Sequence, residues 1–363
     1  MRICLLVPSI CGMRGDVRSM VNLAGELAER HEVEILSVRR HRERPFFPIS
    51  PKVRLSWVID ERPGVRHLLP RGQVHTEVAL WRRLRVLRAD AVIATRPGLS
   101  VLVARHVPRD TVRVAREWGR PSPPGPITKF YPRLDAVVAA TERGRQDWDH
   151  LLHGGAEVRL IPDALPAGPW PRSRMDNRIV AAGGRWVPVK AYDRLIRAFA
   201  VVADKRPDWR LRLYGGGPEE RRLRGLVQDL NLHNHVYFMG TTSDLSGEFA
   251  KASIVAVTSR AETPQTPGMT VIEAMASGVP VIGFDSPSGP GEFVVEGRSG
   301  VLVAEGGAEI EAYAGALLAL IDDERRRREL AAGALGAAAV HTAPVVAGQW
   351  ERLLTSSSFR AAS

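Results

Sequence analysis

From Pro267 to Phe284 the chain runs Pro-Gly, then Met-Thr-Val-Ile-Glu-Ala-Met-Ala-Ser, then Gly-Val-Pro, then Val-Ile-Gly-Phe. This order leaves few architectures open. A Pro-Gly turn opens a short helix, whose Ala and Ser residues let it lie close on a sheet. Val279 to Phe284 is apolar throughout, as a parallel strand covered on both faces must be. The first helical turn aims free backbone N–H groups at whatever precedes Met269, and the helix dipole favours an anion there. Glu273 sits about one turn inside, placed to accept hydrogen bonds from hydroxyls. A phosphate joined to a polyol, as in a sugar nucleotide, suits the pair, although Gly-started helices with one acidic residue also occur without a ligand.

The chain of 363 residues favours two domains over one. Hydrophobic residues make up 44%, enough for a core in each half. No apolar run is expected to reach the roughly 18 residues of a membrane span. Met1 to Ile10 lacks the basic flank and cleavage site of a signal peptide. Cys4 and Cys11 flank one strand and suit a reducing compartment, which points to the cytoplasm.

The formal charge is +11 and the pI about 10.4. Such a surplus favours anionic partners, either phosphate-bearing substrates or an acidic membrane surface. Nucleic acid is not expected, because the cations are spread along helices such as Trp81 to Arg88 and Glu324 to Arg328 and no nucleic-acid motif accompanies them.

Arg2 to Pro8 reads as a buried strand, Ser9 to Asp16 as a glycine-containing loop, Arg18 to Arg30 as a helix and Glu32 to Val38 as the next strand. This is a βαβ opening. Further strands are expected at Val53 to Trp57, Ala91 to Thr95, Val112 to Ala115 and Ala136 to Ala140. The Pro-rich stretch Ile161 to Asn177 has no period and reads as a linker. A second α/β series follows, with strands at Arg178 to Ala182, Arg210 to Tyr214, Val236 to Met239, Ile254 to Thr258 and Val279 to Phe284. Helices are expected at Tyr192 to Lys205, Glu219 to Leu230, Ala308 to Asp322, Glu324 to Ala339 and Val345 to Leu354.

With these pieces placed, the chain resembles glycosyltransferase family 4, retaining enzymes of the two-Rossmann GT-B fold, and within it the actinobacterial members. The resemblance is carried by Ile3 to Pro8, Gly12 to Gly15 and Asn22-Leu23-Ala24, by Gly184-Arg185 with Lys190, and by Tyr214 to Pro218. It continues in Val236 to Gly240, Glu273 to Val281 and Gly289-Pro290-Gly291-Glu292. Each motif alone is weak; their order and spacing together are specific.

The resemblance implies an α/β protein with two Rossmann-like domains facing each other across a cleft, and a C-terminal helix packing back toward the first domain. Residues 1–165 are expected to bind the acceptor, 166–177 to link, 178–340 to bind the nucleotide sugar, and 341–363 to form the crossing helix and tail. Arg185 and Lys190 are expected to neutralise the departing diphosphate, and Glu273 to grip the ribose hydroxyls. Gly268, Met269 and Thr270 would supply amides to the distal phosphate. Gly12, Gly15, Gly184 and Gly240 complete the expected donor contacts. On the acceptor or sugar side stand Arg14 and Arg96, with Arg18 beside them. For all of these, ordinary surface charge or turn geometry is the competing reading.

The chain departs from the pattern in three places. Counting back from Glu273 by the family's spacing lands on Gln265, whereas counting forward from Ser259-Arg260 lands on Glu262. Either residue is expected to take the first-carboxylate role at the sugar, so both are catalytic candidates beside Arg185 and Lys190. Trp118 stands where relatives carry a histidine; it can stack on a sugar but cannot carry a proton. Ala191 follows Lys190 where glycine is common.

No histidine, cysteine or carboxylate cluster with metal spacing is expected, and His75, His106, His150 and His233 have no partner spacing. The resemblance implies a metal-independent, retaining transfer of a hexose-type sugar from a nucleotide diphosphate donor, UDP-sugar favoured, without a further cofactor. The acceptor stays open between cell-envelope and natural-product types, with anionic or membrane-associated molecules included, and the enzyme is expected in the cytoplasm or at the inner membrane face. The alternatives are a non-catalytic relative that binds nucleotide as a partner subunit, or a GT-B enzyme of another chemistry, such as an epimerase or a pseudo-glycosyl coupling enzyme.

Overall fold

The computed structural model describes residues 1–63, 73–119, 125–260, 268–286 and 289–356, with side chains omitted at 73–75. The chain divides into two compact units, Met1–Ala167 with His341–Ser363, and Gly168–Val340.

The first unit opens with β1 (Arg2–Val7), α1 (Gly15–Leu27), β2 (Glu32–Arg40) and β3 (Arg54–Asp60). It continues with α2 (Gln73–Arg85), β4 (Ala91–Ala94), α3 (Pro97–His106), β5 (Val112–Glu117) and α4 (Gly125–Phe130). β6 (Ala136–Ala139), α5 (Glu142–Leu152) and β7 (Glu157–Leu160) follow. The sheet order is β3-β2-β1-β4-β5-β6-β7, and every pairing is parallel. The chain runs outward one way from β1 and then restarts at β4. The C-terminal ends of β1 and β4 therefore border the point where strand order reverses, the usual ligand crevice of such sheets.

The second unit contains β8 (Ile179–Arg185), α6 (Tyr192–Lys205), β9 (Arg210–Gly216), α7 (Glu220–Asp229), β10 (Val236–Gly240) and α8 (Leu245–Phe249). Next come β11 (Ile254–Val257), α9 (Gly268–Ala276), β12 (Val281–Asp285), β13 (Gly300–Ala304), α10 (Glu309–Asp322) and α11 (Glu324–Ala338). Its sheet, β10-β9-β8-β11-β12-β13, is also parallel and reverses between β8 and β11. The last helix, α12 (Ala343–Leu354), belongs to the first unit, where Val346, Ala347 and Trp350 join α1 in covering one face of its sheet.

The helix expected at Arg18 to Arg30 begins three residues earlier, at Gly15, and ends at Leu27. The apolar period locates the buried face but not the start, because Arg14 takes the N-cap place without a side-chain cap. β7 and β13 were not anticipated. β7 is short and half-exposed, and β13 follows a Gly-rich turn without an obvious period.

The expectation that no stretch matches a membrane span in length and composition is corrected by Glu324–Leu354, which is helical and apolar enough to do so. Its apolar residues are the inward faces of α11 and α12: Leu330, Ala334, Val346 and Trp350 are all buried.

Candidate functional site

In the second unit, β8 ends on Gly183-Gly184-Arg185. Gly184 and Gly215 both have φ near +140°, and a Cβ on Gly215 would lie 1.9 Å from the Gly184 carbonyl oxygen. Glycine at 215 is what allows β8 and β9 to stay paired up to Arg185 and Gly216. Beyond Arg185 the chain is pinned by Trp186, whose N–H donates to the Gly216 carbonyl at 2.9 Å and whose buried ring meets Phe238 edge-on. The exposed Arg185 thus projects from a rigid strand end.

Pro188–Lys190 forms one 3-10 turn. Ala191 follows in the left-handed region, with φ 46°, and starts α6. The fixed φ of Pro188 and the turn hydrogen bond from Lys190 N–H to Val187 O hold Lys190 after Arg185. Burial, then the Arg185 charge, pull the Lys190 ammonium down to about 8, so the two cations share one electrostatic neighbourhood. The end of β11 supports this turn: Thr258 Oγ1 donates to the Lys190 and Ala191 carbonyls, and the Arg260 N–H donates to Val189 O at 2.9 Å.

The first turn of α9 arrives at the same strand end. Thr270 Oγ1 donates to Gly183 O at 3.4 Å, and Gly268, Met269 and Glu273 are buried. Burial at 1% exposure is unusual for a glutamate and places Glu273 on the inward side of its helix. Arg185, Gly184, Lys190, Met269 and Thr270 therefore sit on elements that meet where this sheet reverses, beside β8 and β11. Gly240 does not join them: it ends β10, which β9 separates from β8. Glu262 and Gln265 lie outside the described residues.

In the first unit, Gly12 and Arg14 occupy the loop after β1, Gly15 opens α1, and Arg96 lies in the turn after β4. Arg14 and Arg96 both bond to the Asp16 carboxylate. Trp118 follows β5; its indole N–H donates to Asp163 Oδ1 at 2.8 Å, and the Arg116 guanidinium covers its ring at 5.0 Å. Its N–H and one face are thereby occupied. Asp163 Oδ1 also accepts from Ser19 at 2.7 Å and from Arg116 at 2.8 Å, a fully buried ion pair. Glu117 is buried beside it, accepts from Tyr131 at 2.6 Å and Ser100 at 3.1 Å, and is pushed up to about 7 by burial. The Thr258 support and the Asp163 hub had no motif to announce them, because each joins residues far apart in sequence.

Residues 171–335 match the family model "Glycosyl transferases group 1". The chain is 33% identical, over 94% of its length, to an exopolysaccharide phosphotransferase of Streptomyces coelicolor, and spans 39% of that relative. An uncharacterized glycosyltransferase of Haemophilus influenzae is 24% identical, with 85% of this chain and 87% of the relative covered. Among solved structures, sucrose-phosphate synthase from Thermosynechococcus elongatus matches with a TM-score of 0.78 at 20% identity, covering 100% of both chains. Anabaena HepE in complex with UDP and glucose matches with a TM-score of 0.74 at 18% identity, covering 97% of this chain and 99% of that one. The structural likeness concerns the fold, two parallel-sheet α/β units of the GT-B type. Residues 171–335 thus carry the likeness to the glycosyl transferases group 1 family, and the solved structures carry the likeness to the GT-B fold.

Proposed function

We propose that this protein is a metal-independent, retaining glycosyltransferase of family 4, actinobacterial type, that moves a hexose from a nucleotide diphosphate, UDP favoured, to an acceptor held by the first unit. The observation that carries the reading is the meeting of Arg185, Lys190 and the first turn of α9 at the end of β8, tied by the Thr270 to Gly183 hydrogen bond. Two cations and a helix N-terminus at one place suit a diphosphate. The UDP-bound neighbour adds support for this donor class.

In this reading Arg185 grips the diphosphate through its planar fork, and Lys190 adds a point charge. Both stabilise the negative charge that grows on the leaving oxygen as the C1–O bond breaks. The amides of Met269 and Thr270 hold the distal phosphate, and Glu273 accepts from the ribose hydroxyls. Glu262 or Gln265 meets the sugar. The departing phosphate oxygen takes the acceptor's proton on the same face, so catalysis is positional and electrostatic.

A second reading comes from the Streptomyces coelicolor relative: the site would transfer a sugar phosphate instead. Incubation of the chain with UDP-glucose and candidate acceptors separates the two. Glycosyl transfer breaks the C1–O bond and releases UDP; phosphotransfer breaks the pyrophosphate and releases UMP. UDP release that is lost in Arg185→Ala supports the proposal, and UMP release refutes it. A thermal-shift series with UDP, GDP and ADP sugars identifies the base.

A further inference from the structure

The first unit places two arginines on one carboxylate at its strand-order reversal. Arg14 leads into α1 after β1, and Arg96 leads into α3 after β4. Arg14 Nε lies 3.0 Å from Asp16 Oδ1 and Arg14 Nη2 2.8 Å from Oδ2, a bidentate pair. Arg96 Nη2 bonds to the same Oδ2. The Val17 N–H fills Oδ1 further at 3.0 Å. Asp16 is 13% exposed and saturated, whereas Arg14 and Arg96 are 37% and 30% exposed. Among the described residues neither arginine pairs with another carboxylate.

Two positive charges thus share one negative charge, and most of their N–H donors are left over. The charges also stand where they are least favoured. Arg14 and Arg96 are the N-cap residues of α1 and α3, without side-chain caps, at the positive end of each helix dipole. A Ser or Asp at either position would cap the helix better. Asp163, the carboxylate whose charge Asp16 feels, is taken by Arg116. The arrangement is electrostatically incomplete, and local conflicts of this kind mark functional sites.

We propose that Arg14 and Arg96, held together on Asp16, bind a phosphate-type oxyanion of the acceptor. This rests on the glycosyl-transfer reading and narrows its acceptor to phosphate-bearing molecules. The bidentate bond fixes the Arg14 fork before the ligand arrives, so little side-chain freedom is lost on binding. Asp16 keeps the two guanidiniums close and limits their affinity by competing with the ligand.

The test is calorimetric titration of the full chain, saturated with UDP, with sn-glycerol 3-phosphate, and with glycerol as the neutral control. Glycerol phosphate binds and glycerol does not. Arg14→Ala and Arg96→Ala each weaken binding by about tenfold or more, as expected for a charged hydrogen bond. Asp16→Asn strengthens it, an outcome that a purely structural clasp would not give. If an alanine variant does not fold, Arg14→Gln or Arg96→Gln replaces it, with a thermal melt as the check. Three results overturn the proposal: no binding to the UDP-saturated chain, binding indifferent to both arginines, or arginine variants that weaken UDP itself. The last assigns the clasp to the nucleotide. Failure of UDP, GDP and ADP alike to bind wild type sinks the glycosyl-transfer reading instead, and titration of the nucleotide-free chain then still decides the clasp.

Discussion

Thr258 Oγ1 lies 3.2 Å from the carbonyl oxygen of Lys190 and donates a hydrogen bond to it. The same hydroxyl reaches the Ala191 carbonyl at 3.1 Å, so one buried side chain at the end of β11 holds the whole turn. Thr258→Val keeps the shape and leaves both carbonyls without this donor. Removal of one such bond costs about 1 kcal/mol. The expected result is a several-fold rise in KM for the nucleotide sugar, with kcat less affected, and recovery in Thr258→Ser. An unchanged KM in Thr258→Val would remove Thr258 from the site.

Lys190 titrates near 8, well below a free lysine, because burial and then Arg185 disfavour its charge. The charged form attracts a diphosphate and exists below that pH. As pH rises through about 8 the free protein loses the cation, so kcat/KM for the donor falls. Lys190→Arg stays charged throughout and flattens this limb. A pH profile of kcat/KM that is identical in wild type and Lys190→Arg would contradict the assignment.

Ala191 occupies a left-handed conformation, with φ 46°, that a Cβ disfavours by roughly 1 kcal/mol. Glycine adopts it freely but loses more freedom on folding. The net expectation for Ala191→Gly is a gain of about 0.5 kcal/mol, read as a small rise in Tm with donor affinity kept. A fall in Tm would show that the strain is relieved elsewhere.

Glu117 carries a linked proton. Burial raises its carboxyl from 4.5 to about 7, against the lowering effect of bonds from Tyr131 and Ser100 and of the Arg116 charge. Between those two values the folded state holds a proton that the unfolded chain has released. Stability therefore declines as pH rises from about 4.5 to about 7, by up to about 3 kcal/mol, and is level above. Glu117→Gln can still accept from Tyr131 and abolishes the slope. Denaturant melts at several pH values check this, and parallel curves for both proteins would refute it.

The fold was legible wherever burial leaves a pattern. Ile3 to Val7, Ala91 to Ala94 and Ile254 to Val257 are continuous apolar runs because both faces of a parallel strand are covered. Glu157–Leu160 escaped because an edge strand needs no such run. At the candidate site, Gly184, Arg185 and Lys190 lie close enough in sequence to form a motif, and so do Met269 and Glu273. Thr258 bonds to a turn that lies 68 residues away, and Ser19 meets Asp163 across 144. Such partners leave no spacing to read. Arg96 looked like loop geometry because its relation to Arg14 exists only once β1 and β4 are neighbours.

The return of α12 to the first unit has a consequence for how the chain is made. Val346, Ala347, Trp350, Leu353 and Leu354 complete a core whose other buried members lie before Leu165. On the ribosome, residues 168–340 are synthesised between the two parts of that core. A nascent chain stopped at residue 340 holds every strand of both sheets, yet the face of the first sheet beside α1 is still bare to water. The order of emergence thus makes the unit whose first strand is made earlier the later of the two to finish folding.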